Sequence, residues 1–236
     1  MMPVPVGVHR ADLGEGAVAV LCTTSGTWQW LNSTSERIWA AAADGTVPAL
    51  IDQLRADGLA DAETVVTRTV DSLIRAGLLG PGAGTGYLPD QMPPATATTP
   101  AGSPGVLMRV PAYLGLGLAL ALMRMPLRTR VRLLGAVRHL PAAPAGLAAT
   151  AEATVRHVRP GWWPGRIACM EVSLATVITL ALCGRRAHWV IGARRMPNEA
   201  HAWVWTPAGA LGLSGRDTDD PRRPWTAVAA TPPIHP

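Results

Sequence analysis

The 236-residue chain contains no lysine and no phenylalanine, so all of its basic residues other than histidine are arginines, and its aromatic residues are nine tryptophans and two tyrosines. It has only three cysteines, an odd number without a closely spaced pair, which argues against a disulfide framework. The start, Met1-Met-Pro-Val-Pro, has neither the basic beginning nor the apolar core of a secretory signal. We therefore expect a reducing, cytoplasmic setting.

A long hydrophobic run is also missing. The most apolar stretch, from Val106 to Met125, is interrupted by Arg109, Pro111 and Arg124. Its apolar span is about a dozen residues, whereas roughly twenty are needed to cross a bilayer. We expect a buried or surface-docked helix here, and no association with a membrane.

Cysteine and histidine lack the spacing of a structural zinc site. Such sites usually contain ligand pairs separated by only a few residues. The set Cys169, Cys183, His188 and His201 contains no two-residue spacing of the kind that such sites favour. We expect neither a metal nor another cofactor.

Charge is distributed unevenly. Residues 1–80 hold five arginines against nine acids, a balance of −4, and residues 81–236 hold sixteen arginines against seven acids, a balance of +9. The basic character therefore belongs to the second part of the chain. The length allows one large domain or two small ones, each with its own core.

The first part has the pattern of strands followed by helices. Ser33-Thr-Ser-Glu36 predicts a capping box at the start of the first helix, and two further helices with apolar faces stop at Gly58 and Gly77. Three strands are predicted from apolar and β-branched runs, at Val4–Val8, Ala17–Cys22 and Thr27–Leu31. Three strands and three helices predict a small winged-helix-like domain over residues 1–80 of an α+β protein.

Residues 81–105 are dense in Gly, Pro and Thr and have almost no side chain that could build a core, which predicts a linker. A second domain is predicted over residues 106–236. Its periodicity indicates helices at Tyr113–Leu122, Leu127–Leu140 and Ala148–Val158, and strands at His188–Gly192 and His201–Trp205. The Pro-rich tail from Pro221 is expected to be irregular.

Cys169 heads an apolar run that extends to Cys183 and closes at Gly184, which predicts a helix with a thiol in its first turn. The unpaired amides at a helix N-terminus carry partial positive charge, which favours thiolate over thiol and can also hold a developing oxyanion. Cys169 is therefore the candidate nucleophile. Cys183, in the last turn, and Cys22, in a strand, are interpreted as core residues.

His201 follows on a strand, just after a polar loop. An imidazole beside a thiol forms the activated pair of cysteine hydrolases, and Trp203 is placed to shield such a pair from water. His188, on the neighbouring strand, is the alternative base. A thiol at a helix N-terminus followed by an imidazole on a strand is the outline of a papain- or transglutaminase-like cysteine enzyme.

These residues resemble the B2 leader peptidase of lasso-peptide biosynthesis, a transglutaminase-like family. The resemblance covers most of residues 106–215 and lies chiefly in Cys169-Met-Glu-Val-Ser-Leu-Ala, Trp189-Val-Ile-Gly192 and His201-Ala-Trp-Val. It implies a cytoplasmic cysteine endopeptidase that removes the leader from a ribosomally made precursor. An ATP-dependent cyclase would be its partner, and would join the new N-terminus of the core to an acidic side chain.

The third catalytic residue of that family is an Asp on the strand after His201, and this chain departs from the pattern. The return strand, Ala210-Leu-Gly-Leu-Ser214, contains no carboxylate. Asp217 is the nearest downstream acid and is the candidate for orienting the imidazole. Asp219 and Glu199 are the alternatives.

The first eighty residues, with Leu31-Asn-Ser-Thr-Ser-Glu-Arg-Ile-Trp39, resemble a PqqD-like recognition element, the B1 component of lasso clusters. The resemblance implies that the leader binds as an added β-strand against the third helix, so that backbone hydrogen bonds supply affinity and apolar pockets supply selectivity. The linker would hold the bound leader near Cys169. The expected leader-binding residues are Thr27, Trp28, Gln29, Trp30, Leu31, Val66, Val70 and Leu73.

Two other functions are compatible with the same patterns. A winged-helix domain often binds DNA, but this one is acidic, and its third helix, residues 61–76, carries three acids against two arginines. We therefore expect no nucleic-acid partner. The missing Asp also fits a catalytically impaired scaffold that only binds the leader for the cyclase.

Overall fold

The computed structural model describes residues 2–80, 104–160, 168–213 and 223–231. The chain forms two compact units, Met1–Leu88 and Pro89–Pro236. The division between them lies inside the segment whose composition predicts a linker.

As far as residues 2–80 describe it, the first unit is a three-stranded antiparallel sheet followed by three helices. The sheet order is β1-β2-β3, so β3 is an edge strand of the described sheet. The strands are β1 (Val8–Asp12), β2 (Val18–Cys22) and β3 (Thr27–Leu31), and the helices are α1 (Ser33–Asp44), α2 (Val47–Ala56) and α3 (Ala62–Arg75). The predicted three strands and three helices are therefore present in the predicted order.

The first strand begins four residues later than the sequence pattern indicated. The chain turns at Gly7, which has a φ of 91° that favours glycine. The carbonyl of Gly7 accepts hydrogen bonds from the amide and the hydroxyl of Thr23, at 2.7 and 2.9 Å. The prediction of a strand at Val4–Val8 was wrong because apolar character alone does not show where the backbone turns.

The cap of α1 also differs from the prediction. Asn32, not Ser33, is the N-cap residue, and its side-chain oxygen accepts a hydrogen bond from the amide of Ser35 at 2.8 Å. Glu36 is instead paired with Arg10 of β1, at 3.1 Å. Asparagine is as good a cap as serine, so the helix begins at the same place by a different contact.

In its described ranges, the second unit combines four α-helices with a four-stranded antiparallel sheet of order β6-β5-β4-β7. The helices are α4 (Arg109–Leu122), α5 (Leu127–Gly135), α6 (Ala145–Val158) and α7 (Cys169–Leu182), and the strands are β4 (His188–Arg194), β5 (Glu199–Thr206), β6 (Gly209–Leu211) and β7 (Thr226–Thr231). α4 and α6 begin three or four residues before their predicted starts. α5 ends in a 3-10 turn, Ala136–His139, before the predicted end.

Helix α7 lies in the core of the second unit. Every residue from Val172 to Leu180 is buried, as expected of a helix that is apolar on all sides. Its neighbours are α4, α6 and the strands β4 and β5. A surface helix would let its first turn move, whereas this packing holds the Cys169 end of α7 in place.

The tail is not irregular throughout. Residues Thr226–Thr231 form β7, which pairs with β4 from Trp189 to Ala193, with a register shift after Ile191. The prediction was wrong because the strand is short, is flanked by prolines and pairs with a strand more than thirty residues earlier in the chain. Short sequence patterns do not show such long-range pairing.

No helix among the described residues is both long and apolar enough to cross a membrane.

We predict opposite effects for two glycine substitutions on α4. A Cβ atom at Gly115 would lie 2.3 Å from the hydroxyl of Thr179 and 2.9 Å from the carbonyl of Ala175, both on α7, whereas a Cβ at Gly117 would meet nothing within 4 Å. Gly115→Ala should therefore lower the free energy of unfolding by about 1–3 kcal/mol. Gly117→Ala should raise it by up to about 1 kcal/mol, because alanine favours the helix. Urea unfolding of both variants checks this, and equal effects would contradict the close α4–α7 contact.

Candidate active site

The backbone around Cys169 is held by a carboxylate. Cys169 is the first residue of α7 and follows Ala168, the N-cap residue, which has no side-chain hydrogen bond to offer. The carboxylate of Glu171, in the first turn, accepts a hydrogen bond from the amide of Ala168 at 2.9 Å. A negative group in the first turn also interacts favourably with the helix dipole. Glu171 thus fixes the entry of the chain into α7.

The first turn of α7 is also attached to the sheet. The hydroxyl of Ser173 lies 2.6 Å from the carbonyl of Cys169, to which it donates. The same hydroxyl accepts a hydrogen bond from the indole nitrogen of Trp189 at 2.9 Å. Trp189 is fully buried in β4. Because a buried tryptophan anchors the serine, the position of Cys169 relative to the sheet is well defined.

The thiol of Cys169 and the imidazole of His201 lie close enough for each to shift the pKa of the other. Cys169 is half-buried, and burial by itself would raise the pKa of the thiol. The hydrogen bond from His201, the amide of Ala202, the charge of the imidazolium and the amide of Met170 outweigh burial and lower the pKa of Cys169. The structure thus favours a thiolate at the head of α7.

The pKa of His201 moves in the opposite direction. Burial favours the neutral ring, but the hydrogen bonds to Cys169 and to the carbonyl of Gly212, together with the thiolate charge, raise the pKa of His201. The charge of Arg194 works against this rise. Each member of the pair therefore stabilises the charged form of the other, which is the electrostatic basis of a thiolate–imidazolium pair.

Within the described part of the chain, two indoles lie beside the imidazole. The ring of Trp203 is nearly parallel to that of His201, with centroids 6.4 Å apart, and the ring of Trp225 is closer, at 5.1 Å. Trp225 also carries the guanidinium of Arg194 on its ring, 4.4 Å from the centroid. The sequence pointed to Trp203 as the shield. Trp225 was missed because it precedes β7, in the tail that was interpreted as irregular.

Glu199, one of the alternative acids, is engaged elsewhere. Both Nε and Nη2 of Arg194 lie 2.5 Å from its carboxylate, and Nη2 of Arg223 lies 3.5 Å from it. Arg194 is 3 % exposed, so this ion pair compensates a buried cation. Asp217 and Asp219 lie outside the described residues. Whether Asp217 orients the imidazole therefore stays a prediction.

The other two cysteines and His188, the alternative base, make different contacts. Cys22 is buried in β2, and the sulfur of Cys183 contacts that of Met108 at 3.6 Å. His188 is buried and stands opposite Trp205 in the β4–β5 register, four positions from the pair Gly192 and His201. No group of three or more potential metal ligands occurs among the described residues. The reactive groups that the described residues bring together at this site are a thiol and an imidazole.

The predicted leader-binding residues fall into two groups. On β3, Thr27 is exposed, Leu31 is buried, and Trp28 and Trp30 are half-buried and stack with ring centroids 5.5 Å apart. On α3, Val66 and Leu73 are only 1 % and 4 % exposed and belong to the core, whereas Val70 is half-buried. Nothing tests the binding role of these residues, and it stays a prediction.

A cavity of about 430 Å³ opens on α3. Ile74 lines this cavity and is 41 % exposed. The sequence did not identify it as a binding residue, because its helical spacing puts it on the apolar face of α3 that was expected to point inward. The apolar lining comes from the N-terminal segment, the α1–α2 corner and α3: Met2, Ala42, Val47, Pro48, Val66, Val70 and Ile74. The first unit therefore has an apolar recess on its third helix.

The second unit carries a site built around the thiol of Cys169 and the imidazole of His201. Residues 112–220 match the family model described as "Transglutaminase-like superfamily". This superfamily includes cysteine peptidases and acyltransferases, so the match is compatible with a peptidase. It includes both Cys169 and His201 and leaves residues 1–111 unmatched. A comparison with curated proteins found no match, and a comparison with solved structures found none either.

Proposed function

We propose that this chain is the leader peptidase of lasso-peptide biosynthesis, with a leader-binding unit and a cysteine peptidase unit in one polypeptide. The observation that carries the peptidase half is the contact between Cys169 and His201, within the transglutaminase-like match. The resemblance of both parts to B1 and B2 components supports the particular substrate. The precursor peptide and an ATP-dependent cyclase are the proposed partners.

The chemistry follows from the two residues. The thiolate of Cys169 attacks the scissile carbonyl carbon, and the oxyanion that forms lies near the amides at the N-terminus of α7. The imidazolium of His201 then gives its proton to the leaving amine, which releases the core with a free N-terminus and leaves the leader as a thioester. Neutral His201 next takes a proton from water, whose oxygen attacks the thioester. Hydrolysis frees the leader carboxylate and regenerates the thiol.

Leader binding is proposed for the first unit. β3 is an edge strand of the described sheet, so one side of its backbone is open to an added strand. The apolar cavity on α3 offers a place for a leader side chain. The −4 balance of residues 1–80 disfavours the rival DNA-binding function, because phosphates are bound by basic surfaces. Joining this unit to the peptidase raises the effective concentration of the leader.

The test is incubation of the purified chain with its precursor, followed by mass spectrometry. We expect leader and core as separate products. We also expect that removal of residues 1–80 raises KM for the precursor by at least about tenfold and changes kcat much less, because capture is lost and the thiol site is kept. Binding of the leader without cleavage would instead support the scaffold function.

Leader affinity can be measured by fluorescence anisotropy with a labelled leader peptide and a scrambled peptide as the control. Binding should be nearly insensitive to salt, because backbone and apolar contacts supply it. Retained leader affinity after removal of residues 1–80 would refute the proposed division of labour. Salt-sensitive binding of a DNA duplex would favour the rival function.

A further inference from the structure

The second ring nitrogen of His201 has a main-chain partner. Its Nε2 atom lies 3.0 Å from the carbonyl oxygen of Gly212. A carbonyl oxygen can only accept a hydrogen bond, so Nε2 must carry the proton. In the neutral ring, Nδ1 is then the nitrogen that accepts the proton of Cys169. This one contact therefore selects the tautomer that the proposed peptidase chemistry requires.

The carbonyl of Gly212 is held in place from both sides. Gly212 directly follows β6, whose last residue, Leu211, is paired with Val204 of β5. Leu213, after it, is only 3 % exposed. Gly212 has a φ of 88°, a conformation that glycine adopts most easily. β6 therefore brings the carbonyl to β5, the strand that carries His201, and the positive φ of Gly212 is part of its orientation.

An ion pair with a buried carboxylate lies next to this turn. A Cβ atom at Gly212 would be 3.5 Å from a carboxylate oxygen of Glu152 and 3.9 Å from a guanidinium nitrogen of Arg156. Glu152 is 2 % exposed and is paired with Arg156 at 2.8 Å. Glu152 and Arg156 both belong to helix α6, and their charged groups face the α-carbon of Gly212. The turn is thus supported by a helix as well as by the sheet.

We propose that the main-chain carbonyl of Gly212 orients the imidazole of His201, in the place where a carboxylate was expected. This inference rests on the proposed thiol chemistry. Nε2 has a single proton, and the hydrogen bond to Gly212 uses it. Glu199 is paired with Arg194 and Arg223. Gly212 is accordingly a positioning residue, which acts on the reaction only through His201.

The absence of charge on a carbonyl distinguishes it from a carboxylate in ways that can be measured. A hydrogen bond to a neutral acceptor is about half as strong as one to a charged acceptor. A carbonyl does not titrate either. The reactivity of Cys169 toward an alkylating agent should therefore depend on the ionisation of Cys169 and His201 alone.

The experiment weakens this acceptor without changing a side chain. Leucic acid, incorporated at position 213 of the full chain in place of leucine, replaces the amide between Gly212 and Leu213 by an ester, whose carbonyl is a poorer acceptor. Loss of about 1 kcal/mol of hydrogen bonding corresponds to a fall of about fivefold to tenfold in kcat, with KM little changed. The weaker acceptor also stabilises the imidazolium less. The pH at which iodoacetamide half-maximally alkylates Cys169 should therefore move upward.

The matched control is glycolic acid at position 212, which puts the ester one residue earlier and leaves the carbonyl of Gly212 an amide carbonyl. It should leave the alkylation midpoint unchanged. Equal midpoint shifts in both esters, or a shift in neither, would overturn the proposal. If the esters do not fold, ¹⁵N NMR of histidine-labelled wild-type chain decides instead: a proton on Nε2 of His201 supports the proposal, and a neutral ring protonated on Nδ1 refutes it.

The rival arrangement is tested at Asp217 and Asp219. If either carboxylate orients His201, replacing it by asparagine should lower kcat on the order of 10⁴-fold, because the wrong tautomer is then stabilised. Such a loss would overturn the assignment to Gly212, and losses below about threefold support it. Alkylation and NMR need no substrate. A wild-type chain that leaves the precursor uncut would therefore refute the proposed function without deciding the role of Gly212.

Discussion

Replacement of Cys169 by alanine is expected to lower kcat for leader cleavage by on the order of 10⁶-fold, the size of the loss when the nucleophile of a hydrolase is removed. The thiol is the atom that would form the covalent bond, and its pKa is lowered by His201 and by nearby amides. Leader affinity should stay within about twofold of wild type, because the proposed leader site is in the first unit. Mass spectrometry of the products and anisotropy of a labelled leader measure the two quantities.

Cys183→Ala is the matched control for this variant. Cys183 follows the last residue of the same helix, and its sulfur contacts Met108 at 3.6 Å. We expect kcat within about twofold of wild type, because this position is distant from the imidazole along α7 and its loss is a small packing change. Cleavage that survives in Cys169→Ala and disappears in Cys183→Ala would mean that the nucleophile has been misassigned.

Replacement of His201 by alanine should have the second largest effect, a fall in kcat on the order of 10⁴-fold. The variant loses both the proton carrier and the cation that stabilises the thiolate. Since burial of Cys169 raises the pKa of its thiol and the opposing contribution of His201 is gone, iodoacetamide should react half-maximally only at a higher pH than in wild type. Alkylation at Cys169, followed by peptide mapping, measures this midpoint.

The same pair predicts the pH profile of the wild-type chain. The pKa of Cys169 is lowered, so the thiolate appears at a lower pH than for an ordinary cysteine, and the pKa of His201 is raised, so the imidazolium persists to a higher pH. Cleavage should therefore fall on the acid side as the thiolate is protonated and on the alkaline side as the imidazolium loses its proton. The two limbs belong to the coupled pair and not to single residues.

His188→Gln separates the two histidines. His188 is buried at the other end of the β4–β5 pairing, beside Trp205. If His188 were the base, its replacement would raise the alkylation midpoint of Cys169, and His201→Ala would leave that midpoint unchanged. Circular dichroism of both variants shows whether either substitution has disturbed the fold.

Much of the second unit could be predicted from local patterns. The apolar run from Cys169 and the glycine after it predict a helix with correct ends, and alternation predicts the strand of His201. The order of the helix and the strand also predicted that Cys169 and His201 approach each other, and in the structure each shifts the pKa of the other. The tail was misinterpreted, because Thr226–Thr231 becomes a strand only through pairing with β4.

In the first unit the number and order of elements could be predicted, but not all their functional surfaces. Helical spacing placed Val66, Val70 and Leu73 on one side of α3. It could not show that Val66 and Leu73 are enclosed by other helices and by the sheet while Ile74 stays partly exposed at a cavity. Burial depends on which elements pack together, and this information is not local.

The sequence by itself determined which side chains are the candidates for reaction: a thiol in the first turn of a helix and an imidazole on a strand, because residue type and periodicity can be read from the chain. Only the tertiary structure decided what surrounds them. The partner of Nε2 in His201 is the carbonyl of Gly212, and of the two indoles described beside the ring, that of Trp225 is the nearer. Every residue has a main-chain carbonyl, so no sequence pattern can mark the one that the pairing of strands brings to an imidazole.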